Sequence, residues 1–527
     1  MPPPADVGST GSGRHRLGVT RTVSLVALDG HVVEIQAHLA ASVPGFALVG
    51  LPDAAVNESR DRVRAAVATS GIPWPQRKIT VNLAPASVRK TGTALDLGVA
   101  VAILAGAGVL PVDVSRVVHL GELGLDGRLQ PVRGVLPAVA AAVAAGFRDV
   151  VVPTADAREA ALVPGARVRG AASLADVLVL HGADLPEHVP ARAVPRRGTR
   201  PQAATDGETV DLSDVRGQVG ARHALEVAAA GGHHLLLVGP PGTGKTMLAA
   251  RLPGILPDLD GADAVTVTAV HSVSGTFDPD GGLVVRPPFE APHHTATPAA
   301  VVGGGSGIPR PGAASRAHRG VLFLDEAPEF GTRVLQTLRQ PLESGELVIH
   351  RAGGAARYPA RFQLVMAANP CPCGRAVGDG RHCTCSSLER RRYFARLSGP
   401  LLDRVDLQVD VGPVRRADIA DARTPESTAV VGARVREARS RAAQRFRGTP
   451  WLTNAEAPAA WLRERLAADR SVLGDLDRAV DRGLLSLRGA DRAVRVAWTL
   501  SDLAGAPRPG REEIAQGLAL RTRGADV

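Results

Sequence analysis

The stretch Gly239-Pro240-Pro241-Gly242-Thr243-Gly244-Lys245-Thr246 constrains this chain more than any other. It matches G-x-x-x-x-G-K-[ST] at every fixed position, between an apolar run (HLLLV, 234–238) and a helical pattern (MLAARL, 247–252). Buried strand, glycine-rich loop and helix in that order form a phosphate cradle. Glycines let backbone N–H groups wrap the phosphates, and the helix N-terminus adds a favourable dipole. Gly239 to Thr246 are therefore the expected ATP-binding residues. Lys245 reaches the β- and γ-phosphates, and the Thr246 hydroxyl joins Mg2+.

A second half of the same site follows at Val321-Leu322-Phe323-Leu324-Asp325-Glu326. Four apolar residues ending in two carboxylates describe a central strand that delivers acids to its C-terminal edge, where open α/β sheets bind ligands. Asp325 is expected to hold Mg2+ through water, and Glu326 to orient or deprotonate the attacking water. ATP hydrolysis is the chemistry these two motifs imply.

Around them the 527 residues divide by composition, and that length suggests about three domains. Residues 1–19 are rich in Pro, Gly and Ser and read as a disordered tail. Residues 20–182 alternate β-branched runs with Ala-rich stretches, as an α/β or α+β domain does. A proline-rich linker follows at 183–208, then the nucleotide-type α/β domain at 209–414 and a helical, Arg-rich domain at 415–527.

Charge and hydropathy narrow the partners. Lys plus Arg total 62 against 52 Asp plus Glu, a net +10, and the only lysines are Lys78, Lys90 and Lys245. The surplus leans toward an anionic partner. Aromatics at 3% exclude recognition by base-stacking on many rings. The longest uncharged apolar run, Leu97 to Leu110, is 14 residues and too short to span a bilayer. The N-terminus has no apolar secretory core. A cytoplasmic protein without a membrane segment is expected.

All four cysteines fall together as Cys371, Cys373, Cys383 and Cys385. Four clustered thiolates can close a tetrahedral Zn2+ site of structural type, with no open position for catalysis. The C-x-C pairs are tighter than the usual C-x2–4-C, and four reduced thiols in a loop, or His382 replacing one ligand, stay open. Adjacent His293 and His294 cannot share one helix or strand face, which favours a structural or DNA-facing role over a metal site. The stretch 430–447 carries six arginines and one glutamate and reads as a solvated helix, with phosphate-facing stripes as the alternative.

Taken together, PGTGKT, VLFLDEAPEF, MAANPCPCG and LSGPLLDRVDL resemble the ComM/YifB group of magnesium-chelatase-like AAA+ ATPases, from about Val23 to Arg521. The resemblance implies an AAA+ fold with a C-terminal helical lid, and a ring, expected to be hexameric. It implies that Asn369 is the sensor-1 residue positioning the water, and that Arg404 is an arginine finger acting on a neighbouring subunit's ATP. Arg488 matches the sensor-2 arginine, with Arg492 and Arg495 as substitutes. A finger donated across an interface is worth about 10³–10⁵ in rate, so the site needs an oligomer. The Gly-, Pro- and His-rich stretch 287–320 matches a family insertion near the ring's pore that is expected to touch DNA. Where the family usually has Glu in PGEIS, this chain has Ala313.

The stretches 89–104 and 121–153 resemble the α+β (ribosomal-protein-like) proteolytic domain of Lon, which is also attached to the recombination ATPase RadA. Lon-type cleavage needs a serine activated by lysine, and the matching positions here are Ala94 and Leu136. The expectation is a catalytically inactive domain, so the chain is not a protease. The preferred reading is an ATP-driven hexameric DNA motor, a helicase or branch-migration enzyme for recombination intermediates and natural transformation. The runner-up is a chelatase-type ATPase remodelling a protein partner, and a nucleotide-timed scaffold comes third.

Overall fold

The computed structural model describes residues 16–88, 90, 92–185, 187–196, 210–305, 309–351, 354–376, 381–397, 399–414, 425–466, 470–483 and 485–521. The expected linker at 183–208 lies partly outside them, as does 415–424 at the expected start of the helical domain. The described residues fall into two compact units, one drawn from Met1–Gln202 with Thr268–Leu283, the other from Ala203–Val267 with Val284–Val527.

The first unit is built on seven strands. These are β1 (Arg16–Val26), β2 (Asp29–Ala40), β3 (Gly45–Val49), β4 (Lys78–Ala84), β5 (Val118–His119), β8 (Asp149–Pro153) and β9 (Arg167–Ala171); β6 (Glu122–Leu123) and β7 (Leu129–Gln130) form a separate hairpin. The sheet order is β3-β4-β2-β1-β5-β8-β9. β1 begins four residues inside the stretch expected to be a tail, because Arg16 to Val19 pair in register with Leu39 to Gln36 of β2. Along β2, Val33, Ile35, Ala37 and Leu39 are buried while Glu34, Gln36 and His38 alternate with them, the period of a half-buried strand. The apolar run too short for a membrane becomes the helix Asp96–Ala107, buried on nearly every face at the centre of the core.

The second unit holds a five-stranded, all-parallel sheet in the order β11-β14-β17-β10-β18, with β10 (Leu235–Val238), β11 (Phe289–Glu290), β14 (Val321–Leu324), β17 (Gln363–Ala368) and β18 (Leu407–Asp410). Two antiparallel pairs lie apart from it: β12 (Gly303–Gly304) with β13 (Arg310–Pro311), and β15 (Glu346–Arg351) with β16 (Gly354–Pro359). Leu235 is level with Val365 and with Leu407, and Val321 is level with Gln363. The C-terminal ends of β10, β14 and β17 therefore open onto one edge, and the chain leaves that edge at Gly239, Asp325 and Asn369.

Two domain boundaries differ from the sequence reading. Thr268–Leu283 was expected within the nucleotide domain, yet it packs with the first unit, where Ala269 joins Val23, Val139 and Val150. The C-terminal helices Thr428–Arg445 and Leu487–Ala504 do not form a separate unit. Val431, Val435, Ala438, Val496 and Leu500 share one core with Leu235, Leu237, Phe323 and Val365. Only the outer part, around Phe446, Trp451, Trp461 and Trp498, has a cluster of its own. Among the described residues, no helix is long and apolar enough to cross a membrane.

Candidate nucleotide site

The loop between β10 and the helix Lys245–Ile255 is tied down at both ends. Gly239 N–H donates to Ala368 O at 3.1 Å, and Gly244, at φ +86°, opens the helix in a conformation that favours glycine. Thr243 Oγ1 donates to Pro240 O at 2.9 Å. Lys245 is 8% exposed; its Nζ donates to Gly239 O (2.7 Å), Pro240 O (2.9 Å) and Asn369 Oδ1 (3.2 Å). Burial lowers the Lys245 pKa, while Asp325 and Glu326 pull it back up. A cation held this way meets an anionic ligand with little hydration to shed.

At the end of β14, Thr246 Oγ1 donates to Asp325 Oδ2 at 2.6 Å, so the hydroxyl and carboxylate converge from two different elements. Two hard oxygen donors beside a phosphate cradle suit Mg2+, which keeps several waters and takes few protein ligands. Glu326 N–H donates to Asp325 Oδ1 at 2.9 Å, and Glu326 itself sits at φ +50°. A non-glycine residue there is uncommon, and such strain clusters at working sites. Its carboxylate is half exposed and stands 3.4 Å from His294 Nδ1. The sequence expectations thus meet in space for Lys245, Thr246, Asp325, Glu326 and Asn369.

Arg404 and Arg488 are elsewhere. Arg404 pairs with Glu343, and its pKa is lowered by burial and by Arg492, Arg339 and Arg488 around it. Arg488 lies 3.6 Å from Asp403 and is largely exposed. The expected finger and the expected sensor-2 residue therefore share one basic cluster. Arg492 is occupied there: it donates to Asp403 O and to the buried Asp406. Burial pushes the Asp406 carboxyl up, but Arg492, His233 and His234 together hold it well below the usual range. Arg495 donates to Ala457 O and is mostly buried.

The four cysteines converge. Cys371 Sγ lies 3.3 Å from Cys373 Sγ and 3.6 Å from Cys383 Sγ, Cys373 and Cys383 are 3.7 Å apart, and all four sulfurs fall within 4.8 Å of one another. A Zn–S bond of about 2.3 Å gives a tetrahedral edge of about 3.8 Å, so the donor set fits zinc. His382 is exposed and is not part of the cluster. The knuckle abuts the phosphate loop, since a Cβ on Gly374 would come within 2.7 Å of Pro241 Cδ.

Sequence reasoning missed three features. Gln218 Nε2 bridges Thr243 O (3.2 Å) and Gly412 O (2.6 Å), fastening the loop to the end of β18; nothing in the local sequence flags it. His293 and His294 occupy a turn rather than a strand or helix, so their rings stand together (centroids 4.1 Å apart) and His294 meets Glu326. Of the six arginines in the stretch 430–447, Arg436 and Arg447 are exposed and four turn to protein partners. Arg434 pairs with Glu226 and Glu426, Arg439 donates to Ala229 O, and Arg441 and Arg445 hold Asp502. In the first unit, Ala94 sits in the short turn leading into the helix Asp96–Ala107, and Leu136 is buried in the helix Val135–Ala144.

Comparison with known families covers most of the chain. The model described as magnesium chelatase, subunit ChlI, matches residues 211–419, that of subunit ChlI of Mg-chelatase matches 35–156, and that of the subunit ChlI C-terminal matches 425–521. An uncharacterized protein of Mycobacterium tuberculosis (strain ATCC 25618 / H37Rv) is 50% identical over 511 residues, covering 97% of this chain and 99% of its own. Competence protein ComM of Haemophilus influenzae is 39% identical over 513 residues, 96% and 97% of the two chains. The uncharacterized protein YifB of Escherichia coli (strain K12) is 37% identical over 509 residues, again 96% and 97%.

Proposed function

The chain belongs to the ComM/YifB family of magnesium-chelatase-like proteins, and from that premise we propose that it is an ATP-driven, ring-forming DNA motor, a hexameric helicase or branch-migration enzyme. The observation that carries the ATPase reading is the convergence of Lys245, Asn369, Thr246 and Asp325 beside the strained Glu326 on one sheet edge. Gly239 to Thr246 bind ATP, and Thr246 and Asp325 would hold Mg2+, which when bound would supply charge neutralisation at the phosphates. Glu326 accepts the proton of a water whose oxygen forms the new bond to the γ-phosphorus, as the bond to the ADP oxygen breaks. Asn369 orients that water.

Arg404 acts on the ATP of the neighbouring subunit, a role supported by its place in a basic cluster away from its own phosphate loop's contacts, and Arg488 in the same cluster is the sensor-2 arginine of the lid. The cysteine knuckle binds Zn2+ as a brace between Asn369 and the phosphate loop. The domain of the first unit is an inactive Lon-like module, since Ala94 and Leu136 supply neither nucleophile nor base. DNA as the substrate is supported by the net charge of +10 and by the relative named as a competence protein. With Arg434, Arg439, Arg441 and Arg445 of the helix Thr428–Arg445 engaged by protein partners, the insert at 287–320 is the better candidate for DNA contact.

The test is ATP-dependent strand displacement on forked and four-way DNA, with Glu326→Gln as the control. Displacement by the wild type and none by the variant is expected. ATP turnover indifferent to every DNA tested would favour the second reading, a chelatase-type ATPase that remodels a protein, which the chelatase subunit models support.

A further inference from the structure

Arginine is spread along the whole chain, yet one short stretch gathers it on a surface. Between Gly374 and Arg396 the described residues hold six arginines, Arg375, Arg381, Arg390, Arg391, Arg392 and Arg396, against a single acid, Glu389. The cysteine knuckle brings part of this set together. Arg375 lies two residues past Cys373 and Arg381 two before Cys383, so the convergence of the four sulfurs to within 4.8 Å draws both exposed arginines onto one knob. Cys385 then leads through Ser386 into the helix Ser387–Ala395. At its start the Glu389 carboxylate accepts from Ser386 N–H (2.7 Å) and from Ser386 Oγ (2.9 Å). The one acid of the stretch is thus turned back onto the helix cap.

This helix has an inner and an outer side. Tyr393 is buried and Phe394 half-buried, while Leu388, Arg391, Arg392 and Ala395 are exposed. Those four follow the i, i+3, i+4, i+7 spacing of a single helix face. Arg396, one turn past Arg392, is held by Glu329 at 2.9 Å. The guanidinium groups of Arg375 and Arg391 meet no carboxylate or other acceptor among the described residues, and Arg392 has only the capping Glu389 as a counter-charge. Other arginines of this unit are turned to protein partners: Arg316 to Glu290, Arg319 to Asp263, Arg434 to Glu226 and Glu426. Like charges crowded on an open face repel one another, and a polyanion relieves that repulsion. With Tyr393 buried, the face offers guanidinium forks suited to phosphate and no ring on which a base could stack.

We propose that the outer face of the helix Ser387–Ala395, with Arg375 and Arg381 of the knuckle, is a second DNA-contacting surface beside the insert. It binds the phosphate backbone without reading sequence, and Arg391 and Arg392 supply its central contacts. The choice of partner rests on the DNA reading above.

The experiment titrates full-length wild type and Arg391→Ala/Arg392→Ala with a fluorescein-labelled oligothymidylate at several salt concentrations. Arg436→Ala/Arg447→Ala, which removes the same charge from exposed arginines elsewhere, is the control. The Arg391→Ala/Arg392→Ala protein is expected to bind roughly five- to thirtyfold more weakly, with a slope of log K against log salt shallower by about 1.4, since each single-strand phosphate contact contributes about 0.7. Its ATP turnover without DNA, nucleotide affinity and melting temperature stay at wild-type values, and the control keeps both affinity and slope. A wild-type slope in Arg391→Ala/Arg392→Ala, or an equal loss in the control, overturns the proposal while leaving the DNA reading in place. Wild type that binds no DNA contradicts that reading as well. If such a protein binds poly-glutamate through Arg391 and Arg392, the face belongs to an acidic protein and the proposal falls.

Discussion

The buried acids of the first unit's core and the acids at the end of β14 are held differently. In the first, Arg62 grips the buried Asp96 through two hydrogen bonds (2.6 and 3.0 Å), and Arg196 spans the fully buried Asp156 and Glu159. Glu159 also accepts from Leu136 N–H and Ser272 Oγ, fastening the segment 268–283 into the unit. Burial raises the pKa of Asp96 and pushes that of Asp156 up to about 6, against the pull of those arginines. At the end of β14, by contrast, Asp325 meets a hydroxyl and the exposed Glu326 meets an imidazole. Arginine-bracketed acids are committed to holding the fold together. Carboxylates left with a hydroxyl and a loose histidine keep their lone pairs for a ligand and a water. Buried charge by itself therefore does not mark the reactive end of this molecule; the kind of partner does.

The sharpest way to break that contrast is to exchange the consequences. Arg404→Ala is expected to lower kcat by about 10³-fold or more with nucleotide affinity nearly kept, and Glu326→Gln by about 10²–10⁴. Neither should shift the melting temperature appreciably. Steady-state turnover beside thermal unfolding checks both. Arg196→Ala should do the reverse: leaving Asp156 and Glu159 buried without their cation costs about 3–5 kcal/mol, read as early unfolding of the first unit while ATP binding persists. A variant that lost turnover but not stability would refute the structural reading of that trio.

Smaller effects sharpen the comparison further. Cys371→Ser with Cys373→Ser should lose the zinc measured by metal analysis and weaken nucleotide binding through Pro241. Zinc below about 0.2 equivalents per chain in the wild type, with all four thiols titratable, would remove the brace. The smallest effect concerns pH. Burial lowers the pKa of His318 to about 3 and that of His181 and His234 to about 4, from an ordinary 6.5. Unfolded chains bind those protons first, so their stabilising contribution is present above 6.5 and is lost as pH falls below it. His181 lies in the first unit beside the likewise depressed His119, but there Asp156 works the other way: its raised pKa favours the folded form as pH drops through 6. The second unit should therefore lose a few degrees more of melting temperature than the first between pH 7 and 5, checked by resolving the two transitions.

How far the sequence predicted all this depended on whether a feature was local. The phosphate loop and the β14 acids were legible because strand, loop and helix follow one another within a dozen residues, and the period and punctuation of each are local. Asn369 and Arg404 needed a family resemblance, since a lone Asn or one arginine among many has no local signature. The place of His294 beside Glu326 was not foreseen, because the argument from strand and helix faces does not apply in a turn. Four arginines of the stretch 430–447 read as part of a solvated face because their partners, Glu226, Ala229 and Asp502, are distant in sequence. The same holds for Thr268–Leu283, whose place in the first unit depends on contacts more than a hundred residues away, such as Ser272 with Glu159.

The central claim is that the carboxylates on one sheet edge hydrolyse ATP only when a neighbouring copy supplies Arg404. Mixing two inactive variants, Lys245→Ala and Arg404→Ala, tests it most directly. The first keeps its finger and the second keeps its nucleotide site, so random mixing in equal amounts repairs about a quarter of the interfaces. Turnover emerging on mixing, where each variant alone is silent, is the predicted result. A mixture as inactive as its components, with subunit exchange shown by labelled chains, would contradict it.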